Sequence, residues 1–485
     1  MAIGEVTPGR ARSAAVEVSA PASAPDPRPK SSARPARPPW RDFWRVRREF
    51  GAGVLEGLTF IHREYGPFVR TRLPLQLYFV ADPVCIEEIL VKKADRFRKD
   101  RTSRLLSRVV GNGLLVNDGE SWRRQRRLLQ PAFHQRQLQS YAAAMVGAIE
   151  RAAATWQTGQ VRNVHEDMMA VTLNIVAEAL FGADVSADAG HMGSIISELM
   201  EEFGRILGLA ARFQPPAWVP TPANRRFQAS ARKVDRVILG IIDARRRKRR
   251  GPAQDDLLSL LIAARDENGG TMTDAQVRDE AVTLFLAGHE TTALALTYSL
   301  YLLATRPECQ ARLADELDRV LGGRAPALGD LEGLKFTDAV LLESMRLYPP
   351  AWVMARQALT EVEIGGYHFP KGAEFVMTPW VVHRDPKSFD DPEAFKPERW
   401  ESDLAQRLPR FATFPFGGGP RVCIGNRFAM MEAKLVLAVA IQRFRFEVTP
   451  QTDLTLLPSV TLRPRHGVQL RLTARGRFDQ MSPAP

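Results

Sequence analysis

Cysteine is scarce, with three residues at positions 85, 309 and 423 in a chain of 485. They are too few and too scattered for a disulfide framework or a zinc cluster, and they point to a reducing compartment. Cys85 and Cys309 read as structural. Also lacking is any N-terminal apolar run fit for a signal peptide or membrane anchor, so a cytoplasmic chain is expected. Residues 1–39 hold eight prolines among Ala, Ser and Arg, with almost no large apolar side chains. They cannot bury enough surface to offset the entropy of ordering, and read as a disordered tail. Their proline density also argues against an amphipathic targeting helix. Acidic residues are in deficit: 67 Lys and Arg against 55 Asp and Glu leave a net charge of +12. Such an excess suits nucleic acid, an anionic membrane surface or an acidic protein partner. Much of it is local, however, in RRRKRR at 245–250, which lies between two helical patterns and reads as a solvated loop rather than a nucleic-acid patch.

What is present is a globular composition, 45% hydrophobic and 25% charged, with ample material for a core. By length the chain could hold two or three domains, and one large α-rich unit is also allowed; 476–485 reads as a flexible end. GAGVLEG at 51–57 superficially matches a dinucleotide loop, but its third glycine is misplaced and a charged segment precedes it, so that reading is discarded. Val69 to Val80 contains two strand-like pieces broken at Pro74, and Asp82-Pro83 starts a helix through Leu90. Asp118 is placed to cap a helix on which Trp122 and Arg126 share a face. The longest helical pattern begins with a Thr273/Gln276 capping box and runs to about Thr305, about 50 Å at ~1.5 Å per residue. From 281 it is apolar enough to look membrane-like until His289 and Glu290 interrupt it, which favours a buried core helix. Pro307 opens another helix, ended by Gly322-Gly323, and Glu343 and Arg346 stand three apart on a further one.

Chemistry concentrates in Phe416 to Gly425, FGGGPRVCIG. Cys423 sits there just before the helical pattern Asn426 to Gln442, where free N–H groups and the Arg421 guanidinium favour a thiolate. The glycines let a large flat group lie close to the backbone. A thiolate presented to a flat cofactor suggests haem iron with an axial sulfur.

Phe416, Gly419, Arg421, Cys423 and Gly425 resemble the haem-binding signature of the cytochrome P-450 haem-thiolate monooxygenases. AGHETT at 287–292 resembles the same family's element above the haem, where the helix widens locally. Over the whole of 40–475 the resemblance implies a single large unit, mainly α with a minor β region, the cytochrome P-450 fold, with haem b (iron protoporphyrin IX) ligated by Cys423. It implies that Trp122, Arg126 and Arg356 contact the haem propionates, that Ala287 and Gly288 leave room for dioxygen, that Thr291 hydrogen-bonds the distal oxygen, and that Glu290 relays protons. It further implies a buried triad of Glu343, Arg346 and Arg399 (in PERW, 397–400) bracing the cysteine segment. Val353 and Met354, and the turn from Leu456 to Val460, would reach the pocket, roofed by Met200, Phe203, Leu207 and Phe213.

The implied activity is insertion of one atom of dioxygen into a hydrophobic small molecule, a fatty acid, terpenoid or similar metabolite. Electrons would come from a separate ferredoxin or flavodoxin with its reductase, docked on Arg123, Arg124, Arg127, Arg427 and Lys434. Neither nucleic acid nor a transmembrane anchor is expected. The alternatives are a peroxide-driven haem-thiolate peroxygenase, in which the acid and threonine would be replaced, and a non-catalytic haem sensor or carrier, which needs no proton path.

Overall fold

The longest helix organises the molecule, and its start is set by local chemistry. Thr273 accepts from the Gln276 N–H while the Gln276 side chain accepts from the Thr273 N–H, closing the capping box. The structure, a computed structural model, describes residues 35–71, 77–182, 219–247 and 256–475. Its principal helices are α1 (Phe43–Ala52), α2 (Val54–Tyr65), α3 (Gly119–Leu129), α4 (Gln135–Ala153), α5 (Val164–Phe181), α6 (Pro222–Arg247), α7 (Asp274–Thr305), α8 (Pro307–Leu321), α9 (Lys335–Leu347) and α10 (Asn426–Arg443). The 32-residue α7 is buried on nearly all sides. Among the described residues no helix is long and apolar enough to cross a membrane.

Helix α7 packs against α5, where Thr172 donates to the His289 carbonyl at 2.9 Å. A Cβ on Gly288 would lie 3.1 Å from Val176 Cγ2, so glycine lets the two helices approach closely. Helices α4, α9 and α10 complete the larger core with Phe285, Leu296, Leu300, Leu341, Leu435 and Ile441. A second core belongs to a five-stranded sheet in the order β1-β2-β8-β5-β3, with β1 at Phe68–Arg70, β2 at Leu77–Val80, β3 at Phe97–Lys99, β5 at Met354–Ala358 and β8 at Glu374–Met377. Strands β2 and β8 run parallel and the other pairs antiparallel. Its centre is aromatic: Phe369 lies 4.7 Å from Tyr78 and 4.9 Å from Phe375, ring to ring, both edge-on. The remaining strands are β4 (Val161–Asn163), β6 (Val362–Ile364), β7 (Tyr367–Phe369), β9 (Phe444–Val448), β10 (Leu456–Pro458), β11 (Leu462–Pro464) and β12 (Gln469–Ala474). They form the sheet β4-β12-β9 and the hairpins β6-β7 and β10-β11.

The two cores meet at the cysteine segment. Phe411 and Phe414 before Cys423 belong to the sheet core, while Phe428 and Met431 after it belong to the helical one.

Two expectations change in three dimensions. Arg245, Arg246 and Arg247 form the last turn of α6 rather than a loop, where cations complement the carbonyl end of the helix. Arg245 also pairs with Asp256 at 3.1 Å and donates to the Phe181 carbonyl at 2.6 Å. Asp118 precedes α3 but its side chain makes no cap. The carboxylate is taken by the Lys99 N–H and by Arg421 instead. Met200, Phe203, Leu207 and Phe213 lie outside the described residues.

The expected charge triad is present and closed. Glu343 and Arg346 are both wholly buried and paired at 2.8 Å, and Arg399 reaches Glu343 at 3.0 Å. Trp400 Nε1 and the Lys396 N–H donate to the same carboxylate at 2.8 and 3.0 Å. Arg346 spends its other N–H groups on the carbonyls of His383, Pro392 and Ala394. Deleting one member strands the others, so Arg346→Ala should lower unfolding free energy by about 3–5 kcal/mol in urea titrations. A loss below about 1 kcal/mol would show the network to be dispensable.

Candidate functional site

A relay of hydrogen bonds carries that network to Cys423. Arg346 holds the His383 carbonyl at 2.9 Å, and His383 Nε2 accepts the Phe414 N–H at 2.9 Å. The Phe414 carbonyl accepts the Gly417 N–H at 2.9 Å, and the Phe416 carbonyl accepts the Cys423 N–H at 3.0 Å. Accepting at Nε2 requires a neutral imidazole, and burial, helped by Arg384 and Arg346, pushes the His383 pKa down to about 3. Gly419, at φ 66°, passes so close to the turn at 88–92 that a Cβ would stand 1.8 Å from the Leu90 oxygen. Only glycine fits there.

Cys423 itself has accessible surface, yet burial is the main influence on its thiol and pushes its pKa up. The thiol is thus reachable while protein surrounds much of it. The Gly425 N–H and the Arg126 guanidinium pull the thiol the other way, as a group needed as thiolate requires. The cation beside the sulfur is thus Arg126, which donates to the Val422 carbonyl at 2.7 Å. Arg421, expected in that role, turns away: it donates to the Asn117 carbonyl at 2.9 Å, pairs with Asp118 and lies 4.3 Å over the Trp122 ring. Trp122 and Arg126 do share the face of α3 that meets the cysteine segment.

Beside them lies a group of cations. Arg356 is 7% exposed, and burial with the nearby charge of Arg421 pushes its pKa down to about 10. Lys99 was not singled out from sequence, since nothing marks a lysine at the end of a three-residue strand. Burial, Arg356 and Arg421 push its amine down to about 7 although part of the side chain is accessible. The carboxylates opposing this charge are already engaged, Asp100 by the Thr102 and Ser103 N–H groups and Asp118 as above. Such a cluster favours an anionic ligand.

Helix α7 presents its one open stretch in this region. Ala287 is exposed and Thr291 half-buried in the middle of an otherwise buried helix, one turn apart on the same face. The helix stays α through the motif, with Thr291 Oγ1 donating to the Ala287 carbonyl at 2.8 Å and Thr292 Oγ1 to that of Gly288 at 3.1 Å. Glu290 lies elsewhere on the helix, 4% exposed, and accepts from Thr461 and from Arg463 of β11. Burial would raise its carboxyl, but Arg463 and Thr461 together hold it below the usual carboxylate range. Neither partner was legible in sequence, because they lie about 170 residues downstream, |i−j| being 171 and 173. Met354 lines the loop side, its Cε 3.7 Å from where a Gly417 Cβ would be.

The expected cationic docking face is largely neutralised within the chain. Arg123 pairs with Glu120, Arg124 with Asp266, Arg127 with Glu267 and Lys434 with Asp338. Arg427 has no such carboxylate partner among the described residues, and it edges a groove of about 330 Å³ lined by Leu138, Leu328, Leu331 and Met430.

The profile of the family described as Cytochrome P450 matches residues 45–470. The chain is 36% identical over 404 residues to cyclooctatin synthase of Streptomyces melanosporofaciens, covering 82% of this chain and 87% of that one. It is 35% identical over 418 residues to pentalenene oxygenase of Streptomyces avermitilis, covering 85% and 91%. Among solved structures it resembles retinoic acid bound cyanobacterial CYP120A1, with a TM-score of 0.77 and 28% identity over 86% of this chain and 93% of that one.

The buried neutral His383 has a consequence for acid stability. Below its ordinary value of 6.5 the unfolded chain takes up a proton that the folded one refuses until about 3. Stability therefore falls as pH drops through that window. His383→Gln keeps an acceptor for the Phe414 N–H without titrating, so its unfolding free energy should depend on pH less steeply, by as much as one bound proton. Superimposable pH profiles for the two proteins, from urea titrations, would remove His383 from this account.

Proposed function

Because this chain belongs to the cytochrome P450 family, we propose that it is a monooxygenase whose substrate is a terpenoid-type hydrocarbon of low polarity. What supports the substrate class is the pair of relatives named for cyclooctatin and pentalenene, each covering more than four-fifths of the chain. A further support is that the similar solved structure holds retinoic acid, itself an isoprenoid.

Family membership implies a haem-thiolate centre, and the residues present fit one. Cys423 is accessible with Arg126 acting on its thiol, the Gly419 backbone packs against Leu90 with no side chain in between, and Lys99 and Arg356 stand near carboxylates, Asp100 and Asp118, that are already engaged. Iron protoporphyrin IX carries two carboxylates, for which Arg126, Arg356, Lys99 and Trp122 would be the partners, and Cys423 would supply the sulfur that holds the iron. The haem when bound supplies the oxygen activation and the redox chemistry.

The remaining work falls to this chain. Ala287 and Gly288 leave space along α7, and the Thr291 hydroxyl, on the open face, holds a proton for the oxygen being reduced. Glu290, held as a carboxylate by Arg463 and Thr461, takes a proton from solvent water once the ion pair loosens and passes it on through water to that hydroxyl, returning to the carboxylate. This acid and threonine favour oxygenation over the peroxide-driven and carrier alternatives. Electrons come from a separate iron–sulfur or flavin protein in the cytoplasm, docked at the groove beside Arg427. With the other four cations paired internally, that docking leans on the apolar lining more than on charge.

Titration of the haem-loaded protein with cyclic terpene hydrocarbons and alcohols should convert its spectrum from low to high spin, with little response to fatty acids of equal carbon number. Preference for the fatty acids would overturn the substrate class. In Cys423→Ala the reduced carbon monoxide complex should lose the thiolate-type spectrum. Thr291→Ala should bind substrate as before but turn most reducing equivalents into peroxide or water. Unchanged coupling of electrons to product would exclude the proton role of Thr291.

A further inference from the structure

The first described turns of the chain carry a surface that oxygenation does not use. Trp40, Phe43 and Trp44 are 70%, 38% and 71% exposed, and no residue of the turn Trp40–Asp42 or of α1 is buried. Their rings adjoin, with centroids 6.0 Å apart for Trp40 and Phe43 and 5.3 Å for Phe43 and Trp44. Among the described residues every other large apolar side chain as exposed as these is aliphatic. The aromatics are not overflow from the core, because the inner side of α1 already meets it: Val46 and Phe50 pack against Phe60, Ile61 and Val69. Ala36 is bridged to Val69 as well, so the outer face stands on a fixed platform.

Arginines surround the rings. Arg41, Arg45, Arg47 and Arg48 are all exposed, and Arg47 lies 5.7 Å over the Trp44 ring. From 35 to 52 the arginines are 37, 41, 45, 47 and 48, against Asp42 and Glu49. Asp42 accepts from the Tyr65 hydroxyl at 2.8 Å, and Glu49 pairs with Arg48 at 2.8 Å. Arg45 is held by Glu64 at 3.3 Å and lies 4.7 Å over Phe60. The preceding sequence has the same sign, Arg10, Arg12, Arg28, Lys30 and Arg34 against Glu5, Glu17 and Asp26.

We propose that Trp40 to Arg48 is a docking surface for an anionic lipid bilayer. The indole and phenyl rings enter the head-group layer while the guanidinium groups meet lipid phosphates. Indole suits that depth because one edge is polar and the rest apolar. Rings and cations interleaved on one short helical segment are what an interfacial helix needs, and a bilayer satisfies both at once. A second copy of the chain would bring two arginine clusters together, and one short helix offers less than the ~800 Å² each partner buries in a stable dimer. Duplex nucleic acid would satisfy the cations through its phosphates and leave the rings in water. This inference is independent of the substrate reading.

The test is co-sedimentation of the full haem-loaded chain with vesicles of phosphatidylcholine, alone or mixed with phosphatidylglycerol. Binding to the mixed vesicles, weak binding to the neutral ones, and release by salt are expected. Trp40→Ser with Trp44→Ser should reduce partitioning at least about tenfold, and Arg41→Gln and Arg47→Gln by about fivefold each. Thermal unfolding at the parent temperature shows that each variant is folded. Failure to sediment, equal binding to neutral vesicles, or parental binding by the folded tryptophan variant would overturn the proposal. So would a self-association seen by sedimentation velocity that the tryptophan variant abolishes, or tighter capture by duplex DNA than by anionic vesicles.

Discussion

A single carboxylate, Glu343, holds together the parts of this chain that matter for chemistry. It sits at zero exposure and receives Arg346, Arg399, the Trp400 indole and the Lys396 N–H. A buried charge so satisfied adds little net stability over an apolar isostere. Its contribution is positional. Arg346, while paired with Glu343, also gathers the carbonyls at 383, 392 and 394, and the His383 ring accepts the Phe414 N–H. The cysteine segment is thereby fixed from a helix about 80 residues upstream, without any contact made by the thiol itself.

The site then arises at a seam. The sheet core supplies Lys99 and Arg356, the helical core supplies Trp122, Arg126 and the open face of α7, and the cysteine segment runs between the two. Neither layer alone could enclose a large flat group. Burial is the main cause that moves Cys423, Lys99 and Arg356 away from their charged forms.

Charge is distributed unevenly between inside and outside. The excess of cations seen in composition does not make a basic docking face on the cysteine side, where ion pairs with Glu120, Asp266, Glu267 and Asp338 absorb it. Part of it stands instead at the exposed rings of the first described turns, where Arg47 lies over Trp44, and part near Cys423, where Arg126 acts on the thiol.

The sequence by itself determined the elements whose causes are local. The Thr273/Gln276 box starts α7, Asp82 caps the helix after it with bonds to the Val84 and Cys85 N–H groups, and Gly322 ends α8 in the left-handed region. Glu343 and Arg346, three apart on one helix, likewise pair as their spacing alone requires. Tertiary structure alone decided the partners that come from far along the chain. Asp118 was read as a helix cap because a cap needs only its own neighbours, yet Arg421, some 300 residues on, takes its carboxylate. Arg463 and Thr461 at Glu290, Lys99 beside Arg356, and Arg126 in place of Arg421 beside the thiol follow the same logic. An ionisable side chain takes whichever opposite charge or donor the fold brings nearest in low dielectric, and that choice is made by packing, which no local pattern encodes.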